Sequence, residues 1–281
     1  VNKIALIYDH VRLEEKALVE AIKKRGIELE SINSSDMIIE LDNDLDIADI
    51  ILQRSVSYFR SLHLTAVLEG KGKRVINRLF TSLYAGNKLF THILLKNANI
   101  PTPKAVLSFT PENAIKGIEK IGYPVVLKPT IGSWGRLIAL INDKYAADAV
   151  IEDREHMFPL YQIYYVEEFI KRPPRDIRAI VVGDQVIGAI YRYSGPDQWK
   201  TNMALGGKAE ICKVTKEMED LCIKAANALN GDIVGIDLME SEERGLLVHE
   251  VNNTTEFKNV ARVTGIDIAG KMIDYVLSLK E

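Results

Sequence analysis

Between Leu246 and Asn252 (LLVHEVN) a carboxylate and a carboxamide stand two residues apart inside an apolar run. The run reads as a strand, in which residues i and i+2 share a face, so Glu250 and Asn252 point the same way. Upstream, Ile233 to Met239 (IVGIDLM) reads as a second buried strand, with Asp237 as its one acid and Gly235 where a neighbour approaches closely. Burying Asp237 and Glu250 without a counter-charge is costly. A hard cation such as Mg2+ offsets that cost, because it takes carboxylate oxygens and usually keeps phosphate oxygens and waters as its other ligands. The competing reading is of two strand-edge acids paired with lysine or arginine.

A second group lies near the middle of the chain. Ile131 to Arg136 (IGSWGR) follows an apolar strand ending at Lys128 and Pro129. Gly132, Ser133 and Gly135 free backbone N–H groups to wrap anionic oxygens, so this segment, with Trp134 and Arg136, reads as a phosphate-covering loop or as a plain turn. Lys128, at the end of a buried strand, needs an anion beside it, whereas Lys88 falls mid-helix, where a solvated lysine is ordinary. Tyr161 to Ile170 reads as a strand that runs out through Glu167, Glu168, Phe169 and Ile170 into the turn-rich, basic KRPPR segment. Such a strand end leaves backbone groups for an adenine edge, and Asp176 just beyond suits ribose hydroxyls. Gly265 to Lys271 imitates a P-loop, but Met272 replaces the metal-binding hydroxyl, so a terminal helix capped by Asp267 is the better reading.

The elements that must position these residues fall into two styles. Residues 3–9 read as a buried strand and Arg12 to Lys24 as an amphipathic helix closed by Gly26. The pattern continues through strands at Ile27 to Ile32 and Ile47 to Leu52, a helix at Ser57 to Glu69 and a short strand at Val75 and Ile76, which makes a small parallel α/β unit. The first strand is followed by Asp9, His10, Val11 and Arg12, with no glycine fingerprint for a dinucleotide. A helix is expected over Thr81 to Asn97, ending before the prolines at 101 and 103. Beyond it come a strand at Ala105 to Phe109, a helix begun by Thr110 and Pro111, and a strand at Tyr123 to Lys128. Two hairpins are expected, Asp176 to Ser194 turning at Gly183 and Asp184, and Asp237 to Asn252 turning through Ser241 to Gly245. The fold class is therefore α/β followed by α+β, with units expected at 1–86, 87–165 and 166–281.

Composition limits the function. The 281 residues are 47% hydrophobic with a formal net charge of −3, an ordinary soluble balance without the basic surplus of a dedicated nucleic-acid binder. No apolar stretch is long enough to span a bilayer and no signal peptide opens the chain, so a cytoplasmic protein is expected. Cys212 and Cys222 lie ten residues apart with no ligand-spaced histidine, and read as reduced small hydrophobes.

Taken together, these residues resemble the ATP-grasp superfamily, and within it the RimK-like ligases. The resemblance covers nearly the whole chain and implies an ATP-grasp fold preceded by a parallel-sheet (pre-ATP-grasp) domain. It also implies ATP and Mg2+, with Lys88 and Lys128 on phosphates, Gly132 to Arg136 as the flexible loop, Glu167 to Ile170 as the adenine hinge and Asp176 on ribose. Asp237, Glu250 and Asn252 match the family's metal set. The strings IGSWGR, Arg175 to Arg178 (RDIR), Ala204 to Gly207 (ALGG) and Glu256 to Asn259 (EFKN) are similar to the amino-group-carrier-protein ligases of lysine and arginine biosynthesis. The lysine branch joins α-aminoadipate to the C-terminal glutamate of a small acidic carrier, LysW; the arginine branch uses glutamate. Asn259 after the EFK string, with Thr264 ahead of Gly265, follows the lysine branch, while Asn252 to Thr255 is more polar than the family's usual run.

The implied chemistry is activation of the carrier carboxylate as an acyl phosphate, its charge met by Lys128, Lys88 and the loop amides, followed by attack of the amine. Arg178, Arg192, Lys200 and Asn202 are the cations and amide expected to hold the amino acid's carboxylates, and Arg178 is also placed among the catalytic groups. Lys171, Arg172 and Arg175, with Arg192, Lys200 and Lys208, are expected to meet the carrier. Relatives imply a homodimer or homotetramer. A rival from another class is a nucleotide sensor that binds Mg·ATP and ligates nothing.

Overall fold

In a computed structural model describing residues 2–132, 135–195, 198–201 and 208–279, the chain opens with β1 (Lys3–Tyr8), α1 (Leu13–Lys24), β2 (Glu28–Asn33), β3 (Ile50–Gln53), α2 (Tyr58–Gly70) and β4 (Arg74–Ile76). The strands pair in parallel in the order β2-β1-β3-β4. Residues 4–7 of β1 are fully buried because helices cover both faces: Leu18 and Ile22 of α1 pack with Ile4 and Leu6, and Leu64 and Leu68 of α2 with Ala5 and Ile7. Ser57 caps α2 by accepting from the Arg60 N–H.

The single helix expected over Thr81 to Asn97 is two, α3 (Leu79–Ala85) and α4 (Lys88–Asn97). Gly86 lies against Tyr58, where a Cβ would fall 1.9 Å from the ring, and Asn87 starts the new helix by accepting from Phe90 N at 3.2 Å. Lys88 is therefore the first residue of a helix, not a mid-helix lysine. The next layer contains β5 (Ala105–Ser108), α5 (Pro111–Ile121), β6 (Val125–Lys128), β7 (Ala139–Ile141), α6 (Lys144–Glu155) and β8 (Tyr164–Glu168), with an antiparallel sheet in the order β5-β8-β6-β7. This sheet runs through Glu168, so residue 165 falls inside β8.

The last layer contains β9 (Arg175–Val182), β10 (Gln185–Tyr193), β11 (Ala209–Ile211), α7 (Lys216–Ala228), β12 (Ile233–Ser241), β13 (Gly245–Asn252), α8 (Lys258–Thr264) and α9 (Ile268–Ser278). Its antiparallel order is β11-β10-β9-β12-β13, and both expected hairpins are present. Asp267 caps α9 by accepting from Gly270 N at 2.9 Å, which settles the P-loop look-alike as a helix start. Met272, Ile273 and Val276 of α9 share one core with Leu18 and Ile22 of α1 and Ile180 and Val182 of β9, so the first and last sheets are packed together. Among the described residues no helix is long and apolar enough to cross a membrane, and Cys212 and Cys222 are buried free thiols.

Candidate active site

The central and C-terminal sheets, with the edge of the first unit, enclose a cavity of about 1050 Å3. Lys88 reaches it from α4, Lys128 from β6, Glu167 and Glu168 from β8, Asp176 and Arg178 from β9, and Arg192 from β10. Asp237 enters from β12, Glu250 and Asn252 from β13, Asn259 from α8, and Gly132, Gly135, Arg136, Phe169, Ile170 and Lys200 from connecting segments. Thr264 is not on the wall; its hydroxyl turns back to the Val260 carbonyl at 2.6 Å. The expected residues Ser133, Trp134 and Asn202 lie outside the described residues.

At one end the hairpin register sets Asp237 opposite Glu250 and Gly235 opposite Asn252. Gly235 gives way to Thr255, whose Oγ1 would lie 2.2 Å from a Cβ there. The Asp237 carboxylate is already occupied: Arg178 clasps it through Nε and, at 2.9 Å, Nη2, and Arg192 Nη2 lies 3.0 Å away. Burial opposes its ionisation, but the Arg178 and Arg192 charges outweigh this and hold it below the usual carboxylate range. The arginine-paired reading of the buried acids thus applies to Asp237. It does not apply to Glu250, whose carboxylate takes no hydrogen bond or ion pair from any described residue. Among the described residues no three of His, Cys, Asp and Glu form a metal cluster. A free carboxylate beside the Asn252 carboxamide nevertheless fits Mg2+, which binds through one or two carboxylates and completes its shell with phosphate oxygens and water.

Toward the centre, Lys128 Nζ donates to Glu167 Oε2 and lies 2.7 Å from His249 Nε2. Glu167, expected only as part of the hinge, is the anion that the buried lysine required. Burial opposes its charge, but Lys128 and then His249, with hydrogen bonds from Lys128 and Tyr165, lower its pKa. His249 was not anticipated, because strict alternation along β13 turns it away from Glu250. The register slips between Asp237 and Leu238, leaving His249 as the extra residue of a β-bulge on the cavity wall. Burial and the Lys128 charge push its pKa down to about 3.

Lys88 Nζ donates to the Gly132 carbonyl at 2.6 Å and Lys200 Nζ to the Gly135 carbonyl at 2.9 Å, so two lysines hold the glycine loop from opposite sides. Lys200, expected on an amino-acid carboxylate, lines the cavity with its ammonium on this loop carbonyl. Burial lowers the pKa of both lysines, with Glu250 opposing the effect on Lys88. Asp176, expected on ribose, and Arg192, expected on substrate, both line the cavity and are bonded to each other. Arg192 grips Asp176 through Nε at 2.7 Å and Nη2 at 2.8 Å, and Thr201 donates to the same carboxylate. Arg192 lines the cavity while its guanidinium is shared between Asp176 and Asp237. Glu168 is held by Arg244 and by the Lys104 N–H at 2.5 Å. The expected basic docking face is largely neutralised: Lys171 pairs with Glu242 at 2.9 Å, Arg175 with Glu240 at 2.7 Å and Lys208 with Glu210 at 2.5 Å.

The first unit contributes a clamp that the sequence reading missed. Arg54 Nε donates to Glu15 at 3.0 Å and its Nη2 to the Thr255 carbonyl at 3.1 Å, while Glu14 Oε1 accepts from the amides of Phe257 at 3.2 Å and Lys258 at 3.0 Å. Asn77 donates to the carbonyls of Ile233 at 2.6 Å and Asn253 at 2.7 Å, on either side of the hairpin base. These bonds fix the segment that carries the chain from Asn252 to Asn259. A signal existed, since Arg54 follows the apolar run at 50–53 and a charge there needs a partner, by the argument that singled out Lys128.

The RimK-like ATP-grasp domain matches residues 85–276 and the LysX preATP-grasp domain residues 4–82. The chain is 39% identical over 269 residues to the alpha-aminoadipate–LysW ligase LysX of Saccharolobus solfataricus, covering 94% of this chain and 96% of that one. It is 34% identical over 275 residues to the glutamate–LysW ligase ArgX of Sulfurisphaera tokodaii, covering 98% of each. The crystal structure of a RimK domain ATP-grasp protein from Sphaerobacter thermophilus superposes with a TM-score of 0.83 at 26% identity, over 98% of this chain and 100% of that chain. The ATP-grasp fold read from the motifs is thereby established, and the chain belongs to the RimK-like ATP-grasp family of ligases, with a LysX-type pre-ATP-grasp domain at its front.

Proposed function

We propose that this ligase joins the α-amino group of α-aminoadipate to the γ-carboxyl of the C-terminal glutamate of a LysW-type carrier, using ATP and Mg2+. The observation that carries the reading is that Lys128, the unpaired Glu250 carboxylate, Asn252 and Asn259 line one cavity, which supports contiguous phosphate, metal and acceptor ends. Similarity along nearly the full length to an alpha-aminoadipate–LysW ligase supports the substrate pair.

Glu250 and Asn252 would hold Mg2+, which supplies charge neutralisation at the phosphates. The carrier carboxylate attacks the γ-phosphorus, the bond to the ADP oxygen breaks, and an acyl phosphate forms. Lys128 meets the charge on the transferring group while Lys88 keeps the glycine loop over it, excluding water that would hydrolyse the intermediate. The neutral amine then attacks the acyl carbon, phosphate leaves, and the amide nitrogen loses its extra proton. Arg178, on the cavity wall, is read as the group that bonds the departing phosphate oxygens.

A second reading, with glutamate as acceptor, draws on the 34% identity to a glutamate–LysW ligase over 98% of the chain. Competition between the two acids for limiting carrier, read as conjugate mass with one ADP per conjugate, tests the proposal. The α-aminoadipate conjugate is expected to dominate. Predominance of the glutamate conjugate would replace the first reading with the second, and ATP binding without conjugate or ADP would leave a nucleotide sensor.

A further inference from the structure

We propose that His249 is a positioning residue for Lys128, holding one N–H of the ammonium group while Glu167 holds another, so that the third is aimed into the cavity at the transferring phosphate. The proposal rests on the reading of Lys128 as the phosphate-contacting lysine. Its geometric basis is independent of that reading.

An ammonium group has three N–H donors. One is taken by Glu167 Oε2, and a second points at His249 Nε2, 2.7 Å away. Because lysine only donates, Nε2 must present its lone pair, which fixes the ring as the neutral tautomer with its proton on Nδ1. Both anchors are themselves held. Glu167 accepts from the buried Tyr165 hydroxyl at 2.7 Å, and His249 is set as the extra residue of the bulge between Val248 and Glu250 on β13. Lysine's flexible four-carbon stem would otherwise let the ammonium wander, and two anchors in different sheets remove that freedom. They also divide the work: Glu167 neutralises the buried charge, whereas the neutral imidazole gives direction without adding charge. A second carboxylate in its place would repel the incoming phosphate. With Nε2 engaged by Lys128, His249 acts through the lysine and not on the substrate itself.

The test compares His249→Gln, whose side-chain oxygen reaches the place of Nε2 and can accept, with His249→Leu, which fills similar space and cannot. Expected for His249→Leu is a kcat lower by ~10- to 100-fold, the scale associated with a misplaced reacting group, with KM for the amino acid within about twofold. Most of the activity should return in His249→Gln. In a Lys128→Met background the leucine substitution should cost nothing further, since the group that it positions is gone. Should His249→Leu not fold, His249→Asn, which is too short to reach, takes its place with the same expected loss.

A readout free of turnover is the 15Nζ resonance of Lys128, measured without nucleotide: protected from exchange in the parent and His249→Gln proteins, and lost in His249→Leu or His249→Asn. Equal kcat in all three proteins, an additive loss on top of Lys128→Met, or an unchanged lysine resonance would overturn the proposal. If the parent protein releases no ADP with carrier and acid, the ligase reading fails, and the lysine resonance still decides the role of His249.

Discussion

Arg54 follows β3 and Lys128 closes β6, both buried and both bonded to a glutamate, yet they belong to regions of opposite character. The clamp around Arg54 is closed on the protein. Arg12 grips Glu15 at 2.7 and 2.9 Å, Arg54 ties Glu15 to the Thr255 carbonyl, and the one open oxygen, Glu14 Oε2, is buried away from the cavity wall. The group around Lys128 is closed on one side only: Glu167 and His249 hold the lysine from behind, and the Glu250 carboxylate stands in the cavity without a partner among the described residues. Buried charge alone therefore does not mark a site. What marks it is charge with bonding capacity left over and facing open volume.

The sharpest way to break this comparison is to delete one cation from each region. Lys128→Ala should lower kcat/KM for ATP by ~10² or more, since its charge faces the transferring phosphate, and should shift the denaturant midpoint little compared with that loss. Arg54→Met should do the reverse. Removing one partner of a buried ion pair costs about 3–5 kcal/mol, to be read as a lower urea midpoint at unchanged slope, while kcat per folded molecule stays within a few-fold. If Arg54→Met lost activity as completely as Lys128→Ala while remaining as stable as the parent, the distinction would fail.

Acid adds a finer version of the same test. Burial works against Glu15 ionisation, but the Arg12 hydrogen bond and the Arg54 and Arg12 charges outweigh it, so its folded pKa lies below the ordinary glutamate value. A depressed carboxylate contributes stability that is full above the unfolded pKa of ~4.3 and is lost as pH falls through the folded value. Arg54→Met should thus raise the pH of acid unfolding as well as lower the urea midpoint at neutral pH. No change in the acid transition would detach Glu15 from the clamp's energetics.

A smaller effect is expected at the segment that the clamp holds. Replacing Asn259-Val260 by Gly-Phe should move preference from α-aminoadipate towards glutamate by about tenfold in the ratio of kcat/KM values, within the range that one methylene can discriminate. Parallel loss for both acids would make the segment structural and leave selectivity to other parts of the wall.

What the sequence made legible follows from periodicity and from simple charge arguments. Alternation and turn residues gave both hairpins, and the shared face of Glu250 and Asn252 followed from i, i+2 spacing, while the register that sets Asp237 opposite Glu250 came from the fold. His249 was invisible because a bulge shifts the register by one residue, and nothing in LLVHEVN announces it. The split at Gly86 was hidden because each side of it is helical, and only the tertiary contact with Tyr58 requires the glycine. Strands at 139–141 and the helix at 144–155 were missed, the first for its shortness and the second for its weak apolar stripe. The pairings of Arg192 with Asp237, of Arg175 with Glu240 and of Lys171 with Glu242 join residues 45 or more apart in sequence, so charge counting along the chain overestimated the free positive surface.

We read Glu250 as left open for the metal that carries the nucleotide's phosphates. Calorimetric titration of ATP into the parent protein and into Glu250→Gln, each with and without Mg2+, tests it most directly. The parent should bind ATP more tightly when Mg2+ is present, and Glu250→Gln should lose most of that enhancement while keeping its Mg2+-free affinity and its thermal unfolding midpoint. An undiminished Mg2+ enhancement in Glu250→Gln would contradict the assignment and place the metal elsewhere.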